Sequence, residues 1–146
     1  RPFLEFENKW AIVLGITSNK GAADFEMQPL NSGEHLYEKV ISTVSHWGNA
    51  NNLMFVTGAT QASELENIRT IIPDHFLLVP GVGFQGGSLE EVSKYGMIKD
   101  TSATAQCGLL VNASRAIIYA GEKEDFAREA REIAQQYQSE MAGYLK

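Results

Sequence analysis

The sequence contains a single cysteine, Cys107, among 146 residues. One thiol excludes an internal disulfide and is typical of a protein in a reducing compartment, so we expect a cytoplasmic location. The sequence also has no apolar run long enough to cross a bilayer, so no membrane partner is expected. Its three histidines, His35, His46 and His75, are isolated from one another and from carboxylates at ligand spacing. We therefore expect no metal site.

Basic residues are scarce as well. Twelve Lys and Arg face eighteen Asp and Glu, for a net charge of −6. This balance argues against a nucleic-acid partner, which would need clustered cations. Any bound anion must therefore be held by local donors rather than by a general positive field.

A hydrophobic content of 44% over 146 residues is enough for one domain with a real core. No linker or low-complexity segment divides the chain, so residues 1–146 are predicted to form one unit without an internal boundary. The start, Arg1-Pro2-Phe3-Leu4, has no initiator Met and no signal-peptide pattern. It is typical of a segment cut from something longer.

Four apolar stretches alternate with helical patterns, which predicts four βα units and a parallel sheet. The first stretch is a continuous run that we expect to be buried on both faces. The predicted strands are Trp10–Ile16, Leu53–Val56, Phe76–Val79 and Gly108–Val111. The predicted helices are Asn31–Trp47 closed by Gly48, Ser63–Ile72, Ser88–Tyr95, a turn at Ala116–Ala120, and Glu124–Lys146, with a polar connection at 96–106.

Each predicted strand ends in a polar segment. These segments are 17–19 (TSN), 57–60 (TGAT), the glycine-rich loop 80–87 (PGVGFQGG) and 112–115 (NASR). Because the carboxyl ends of parallel strands lie at one edge of a sheet, the four segments predict one shared site.

The glycine-rich loop has two interpretations. Its backbone amides, followed by a helix that Ser88 and Glu91 open as a capping box, suit an anion such as phosphate. Gly81, Gly83 and Gly86 also match the dinucleotide fingerprint, although no acidic residue ends a following strand about 20 residues on. The alternative is a (β/α)₈ barrel, which holds phosphate after its seventh and eighth strands and takes about 250 residues. The chain would then supply the last four βα units.

The motifs PGVGFQGG at 80–87 and VNASRAIIYA at 111–120, with TSN at 17–19 and GAT at 58–60, resemble orotidine 5′-phosphate decarboxylase. The closer resemblance is to the longer, bacterial-type branch of that family, and it covers essentially the whole chain. It implies a TIM barrel, normally a homodimer, of which this chain is the C-terminal half. The implied activity is that of a carboxy-lyase that converts orotidine 5′-phosphate to uridine 5′-phosphate in pyrimidine synthesis, with no cofactor.

The resemblance also implies roles for individual residues. Ser18 would hydrogen-bond the pyrimidine, and Gln85 would connect the ring side to the phosphate. Gly86 belongs to the phosphate loop, and Arg115, with the backbone N–H of Ser114, would hold the phosphate. A guanidinium is a suitable bidentate partner for that group.

Three features depart from the family pattern. Lys20 stands where proline is frequent, and Phe84 stands where alanine is common. The lysine and aspartate network that performs the family's chemistry, in a D-x-K-x-x-D pattern, is missing from this sequence. The charged cluster at 122–125 (EKED) reads as a solvated helix start instead. No catalytic residue is therefore expected in this chain, which should be inactive alone.

Two rival functions remain open. One is another phosphosugar-binding barrel enzyme. The other is a catalytically silent half-barrel that assembles with itself or with a partner. A four-stranded half leaves two strand edges unpaired, so we expect the chain to be oligomeric or joined to an N-terminal half.

Overall fold

The computed structural model describes residues 2–83, 85–98 and 107–145. They form a four-stranded parallel sheet in the order β1-β2-β3-β4, with neighbouring strands consecutive in the chain. The strands are Ala11–Ile16 (β1), Leu53–Thr57 (β2), Phe76–Pro80 (β3) and Leu109–Asn112 (β4). The predicted succession of four βα units is confirmed.

Five α-helices follow the strands. They are Leu36–Ser45 (α1), Ala62–Ile71 (α2), Leu89–Gly96 (α3), Ser114–Ile118 (α4) and Phe126–Tyr144 (α5). Short 3₁₀ turns occupy Pro2–Leu4, Lys20–Asp24 and Ala59–Gln61. The predicted cap of α3 is confirmed, since the Ser88 hydroxyl accepts a hydrogen bond from the Glu91 amide. A polar connection was predicted at 96–106, but Gly96 is the last residue of α3. Residues 99–106 lie outside the described residues.

Helix α1 begins five residues later than predicted. Residues 31–34 form a tight turn, because the Leu30 amide donates to the Glu34 carbonyl and Gly33 takes a φ of +92°. His35 caps the helix through a reciprocal pair of bonds with Glu38. The predicted cap at Gly48 is also wrong, because α1 ends at Ser45.

The later helices differ more modestly from the predictions. The turn predicted at Ala116–Ala120 is helix α4 and starts two residues earlier, at Ser114. Helix α5 covers Phe126–Tyr144 within the predicted Glu124–Lys146, whose last residue lies outside the described ones. The charged cluster at 122–125 is exposed, as expected.

The core lies on one side of the sheet. Phe55, Leu77 and Val79 point toward the helices and are fully buried. On the opposite face, Ile12 and Leu14 are 50% and 52% exposed. The expectation that the first strand is buried on both faces is therefore wrong for the described residues, whose helices cover only one face of the sheet.

The two tryptophans are only partly buried. Trp10, just before β1, makes an edge contact with Phe76 at 6.0 Å between ring centroids, yet it is 42% exposed. Trp47, after α1, is 65% exposed. Within the described ranges, no helix is both long enough and apolar enough to cross a membrane.

Candidate functional site

The site begins where β1 ends. The apolar strand stops at Ile16, and Thr17 and Ser18 lie between it and the 3₁₀ turn at Lys20–Asp24. The other three polar segments follow β2, β3 and β4 at the same edge, because all the strands are parallel. This placement confirms that the strand ends share one edge.

Ser18 and Gln85 come into direct contact although they are 67 residues apart. The Ser18 hydroxyl donates a hydrogen bond of 2.9 Å to Oε1 of Gln85. An amide oxygen that accepts from Ser18 leaves the amide nitrogen of Gln85 as a donor for another group. The structure therefore brings together two of the residues that the sequence marked for base and phosphate recognition.

The glycine-rich loop is more closed than expected. Gly81, Gly83 and Gly86 all have φ between +77° and +99°, a region that side chains disfavour. The amides of Gly83, Gly86 and Gly87 donate to carbonyls within the loop itself. The expectation that the backbone amides of this loop are available to an anion is therefore wrong for these three amides, because they hydrogen-bond within the loop.

Ser114 and Arg115 open helix α4 directly after β4. The Ser114 hydroxyl donates to Oδ1 of Asn112 at 2.7 Å, and both Ser114 and Arg115 are exposed. Together with Gln85 and Gly81, they line a cavity of about 250 Å³. Three of the five predicted residues, Gln85, Ser114 and Arg115, thus line this cavity. Ser18 is next to them through its bond to Gln85, whereas Gly86 belongs to the loop without lining the cavity.

A second, larger cavity of about 580 Å³ lies beside the first. Its walls include Ser18, Lys20, Thr60, Gln85 and Arg115. Gln85 and Arg115 line both cavities, so the two spaces share a polar wall. A ligand with an anionic end and a polar ring could span them, its anion beside Arg115 and its ring beside Ser18.

The end of β2 supports the Ser18 turn, which sequence reasoning missed. The Thr60 hydroxyl donates to the Ser18 carbonyl at 2.8 Å, and the Gly58 amide donates to the Ile16 carbonyl at 2.8 Å. A Cβ at Gly58 would overlap the backbone of Ser18. The sequence signals were the polar character of the segment after β2 and its GAT motif at 58–60, and neither indicated what Thr60 contacts.

Two further supports come from residues that the sequence did not mark. Oε2 of Glu26 accepts bonds from the backbone amide and the hydroxyl of Thr17, at 2.8 and 3.1 Å. The Tyr137 hydroxyl on α5 packs against Gly83, in the space that a side chain there would take. Both contacts stabilise loops of the site from outside the cavities.

Metal ligands do not cluster in the described residues: no group of three or more His, Cys, Asp or Glu there could hold a metal ion. His35 contacts Glu38, and His46 lies at the end of α1. His75 precedes β3 and packs edge-on against Phe55, with 5.6 Å between ring centroids. Burial, the largest influence, lowers the pKa of His75, and both its ring nitrogens are buried without a protein partner.

This fold and this site define a class. A parallel sheet in the order β1-β2-β3-β4, with helices on one face and its polar residues gathered at the carboxyl ends, matches half of a (β/α)₈ barrel. Comparison with solved structures supports the class. The Leishmania donovani OMP decarboxylase superposes with a TM-score of 0.74 at 29% identity, over 96% of this chain and 51% of that one. The Leishmania donovani UMP synthase superposes with a TM-score of 0.76 at 31% identity, over 96% of this chain and 30% of that one.

Sequence relatives define the family. The chain is 55% identical over 146 residues to an orotidine 5′-phosphate decarboxylase of Christiangramia forsetii, covering 99% of this chain and 51% of the relative. It is 52% identical over 145 residues to that of Bacteroides fragilis, with 99% and 51% covered. No protein-family model matches the chain. The chain belongs to the orotidine 5′-phosphate decarboxylase family, and it spans about half the length of the curated relatives it matches.

Proposed function

We propose that this chain supplies the phosphate-binding half, and part of the pyrimidine-binding surface, of an orotidine 5′-phosphate decarboxylase. The substrate would be orotidine 5′-phosphate and the products uridine 5′-phosphate and CO₂. The observation that carries the proposal is the 2.9 Å bond between Ser18 and Gln85, in a cavity that Arg115 also lines. This contact connects Ser18, on the proposed base side after β1, with Gln85, on the proposed phosphate side after β3.

Each residue has a role that its chemistry supports. Arg115 provides a fixed positive charge for the phosphate, with the backbone N–H of Ser114 beside it. Gln85 connects the phosphate and the ring, since its amide both donates and accepts. Ser18 reads a polar atom of the pyrimidine. Gly86 keeps the loop in the shape that places Gln85.

The decarboxylation itself requires groups outside this sequence, namely the lysine and aspartate network of the family. We therefore propose that the chain alone is inactive and that an N-terminal half completes the barrel. Binding energy from the phosphate would then act at a reacting carbon some distance away. Half-exposed Ile12, Leu14 and Leu110 favour such a partner, because the missing half would cover them.

We also propose a homodimer of completed barrels in the cytoplasm, and a single structural unit over residues 1–146. The uncovered sheet face also fits the rival hypothesis of a silent assembly half. Activity after complementation with an N-terminal half would separate the two hypotheses.

The first experiment follows the absorbance of orotidine 5′-phosphate. The purified chain is assayed alone and then mixed with a polypeptide covering the half of the Bacteroides fragilis relative that the chain does not span, hereafter the complemented protein. We expect no decarboxylation by the chain alone and decarboxylation by the complemented protein. Activity of the chain alone would contradict the proposed division of labour. If the complemented protein is folded but inactive, the rival hypothesis of another phosphosugar-binding barrel enzyme would be favoured. A panel of phosphosugars and nucleotides would then identify its substrate.

The second experiment replaces the phosphate-binding arginine. Arg115→Ala in the complemented protein should raise KM by about ten- to a hundredfold, the effect of losing a charge-assisted hydrogen bond. Arg131→Ala removes an exposed arginine on α5 and serves as the matched control. An unchanged KM for Arg115→Ala would defeat the assignment of the phosphate site.

A further inference from the structure

The position of the Ser18 hydroxyl depends on a turn that could otherwise move. Ser18 follows the last residue of β1 by two positions, so the sheet does not fix it directly. Its hydroxyl nevertheless points at Oε1 of Gln85, 2.9 Å away. Something beyond β1 must therefore hold the backbone of this turn.

The segment after β2 provides that support. The Thr60 hydroxyl donates to the Ser18 carbonyl at 2.8 Å, a contact between residues 42 positions apart. Gly58 lies against the Ser18 backbone with no room for a side chain, and its amide donates to Ile16. Of these contacts, the bond from Thr60 is the only one that a side chain makes to Ser18, so it can be removed without altering the backbone.

Thr60 also lines the larger cavity, together with Ser18, Gln85 and Arg115. The Thr60 side chain is exposed, so filling the core is not its main role. Its hydroxyl instead holds the backbone of Ser18, at the end of the cavity where Ser18 lies. Arg115 lies at the other end of the strand order, after β4, so a shift of the Ser18 turn would leave Arg115 in place.

We propose that Thr60 is a positioning residue for base recognition: by fixing the Ser18 carbonyl, it directs the Ser18 hydroxyl toward the ring of a pyrimidine nucleotide. The inference rests on the proposed function, which assigns the base to Ser18. It deepens that function, because it makes the segment after β2 a determinant of preference for a nucleotide over a simple sugar phosphate.

The test compares two ligands on three variants. Calorimetric titrations of uridine 5′-phosphate and ribose 5-phosphate, on the chain and on the complemented protein, give a base selectivity, the ratio of the two Kd values. Thr60→Val removes the hydroxyl at nearly constant shape and should lower this ratio about three- to tenfold. Thr60→Ser keeps the hydroxyl and should retain most of the selectivity.

The matched control is Thr70→Val, which removes a hydroxyl on α2 that donates to the Asn67 carbonyl of its own helix. It should leave the ratio unchanged. A ratio that Thr60→Val does not change, or equal weakening of both ligands, would overturn the inference while leaving the proposed function intact. A parent protein without preference for uridine 5′-phosphate would overturn both.

Discussion

Arg69 on α2 should be one of the largest single contributors to the stability of this chain. Its Nε donates to the Gly96 carbonyl at 2.6 Å, and its Nη1 donates to the His75 carbonyl at 2.6 Å. Its Nη2 donates to the Gly108 carbonyl at 2.9 Å. The guanidinium thereby joins the end of α3 to the starts of β3 and β4, at the edge of the sheet opposite the candidate site.

The expected magnitude follows from two opposing effects. Three short hydrogen bonds from a charged donor contribute about 2 kcal/mol each, or about 6 kcal/mol together. Burial lowers the pKa of Arg69 from its ordinary value to about 10, and at about 1.4 kcal/mol for each pKa unit this shift costs about 3 kcal/mol. The net contribution of the guanidinium is therefore about 3 kcal/mol.

Arg69→Met keeps an unbranched apolar stem and removes the guanidinium. Urea unfolding should show a free energy of unfolding lower by about 3 kcal/mol. For an m-value near 2 kcal/mol/M, the urea midpoint should fall by about 1.5 M. The stability of Arg69→Lys should lie between that of the parent and that of Arg69→Met, because one ammonium cannot reach all three carbonyls. Arg131→Met, on exposed α5, is the control and should change stability by less than about 0.5 kcal/mol. A loss of under 0.5 kcal/mol for Arg69→Met would refute the reasoning.

Three further predictions concern pH, packing and association. Burial lowers the folded-state pKa of His75, so stability should be complete above its unfolded pKa, about 6.5, and fall as the pH drops below that value. Thermal melts between pH 7 and 5 should show this fall, and His75→Phe should flatten it; an equal slope in the variant would contradict it. Gly58→Ala should destabilise the fold by about 1–3 kcal/mol in urea, because the new Cβ overlaps Ser18. Gly143→Ala, in open space on α5, is the control and should stabilise slightly, whereas equal effects would refute the packing argument. Finally, the chain alone should sediment as an oligomer, because β1 and β4 are unpaired edges and one sheet face is open, and a well-dispersed monomer would count against it.

Local patterns predicted most of the elements because their causes are local. An apolar run such as residues 76–79 predicts a buried strand, and the pair Ser88 and Glu91 predicts a helix start, since these preferences act over a few residues. The start of α1 was misplaced because the bonds that turn residues 30–34 back on themselves compete with the helix. The alternation of units then sufficed for a parallel sheet and for the edge at which its polar segments meet.

The residues of the candidate site were predicted from their sequence motifs, but their contacts were not. The sequence marked Ser18, Gln85 and Arg115 one by one, and only the packing of the strands places the Ser18 hydroxyl on Gln85. The supporting role of Thr60 depends on β1 and β2 being neighbours, which brings two segments 42 residues apart to hydrogen-bond distance.

The sequence by itself therefore determined the four βα units, the family resemblance and the residues that carry it. Tertiary structure alone decided that the amides of the glycine loop bond within the loop, and that one face of the sheet stays open. The physical reason is the same in both cases. Local propensity depends on neighbours in the chain, whereas the partners of a loop amide or of a sheet face are set by segments that folding brings together.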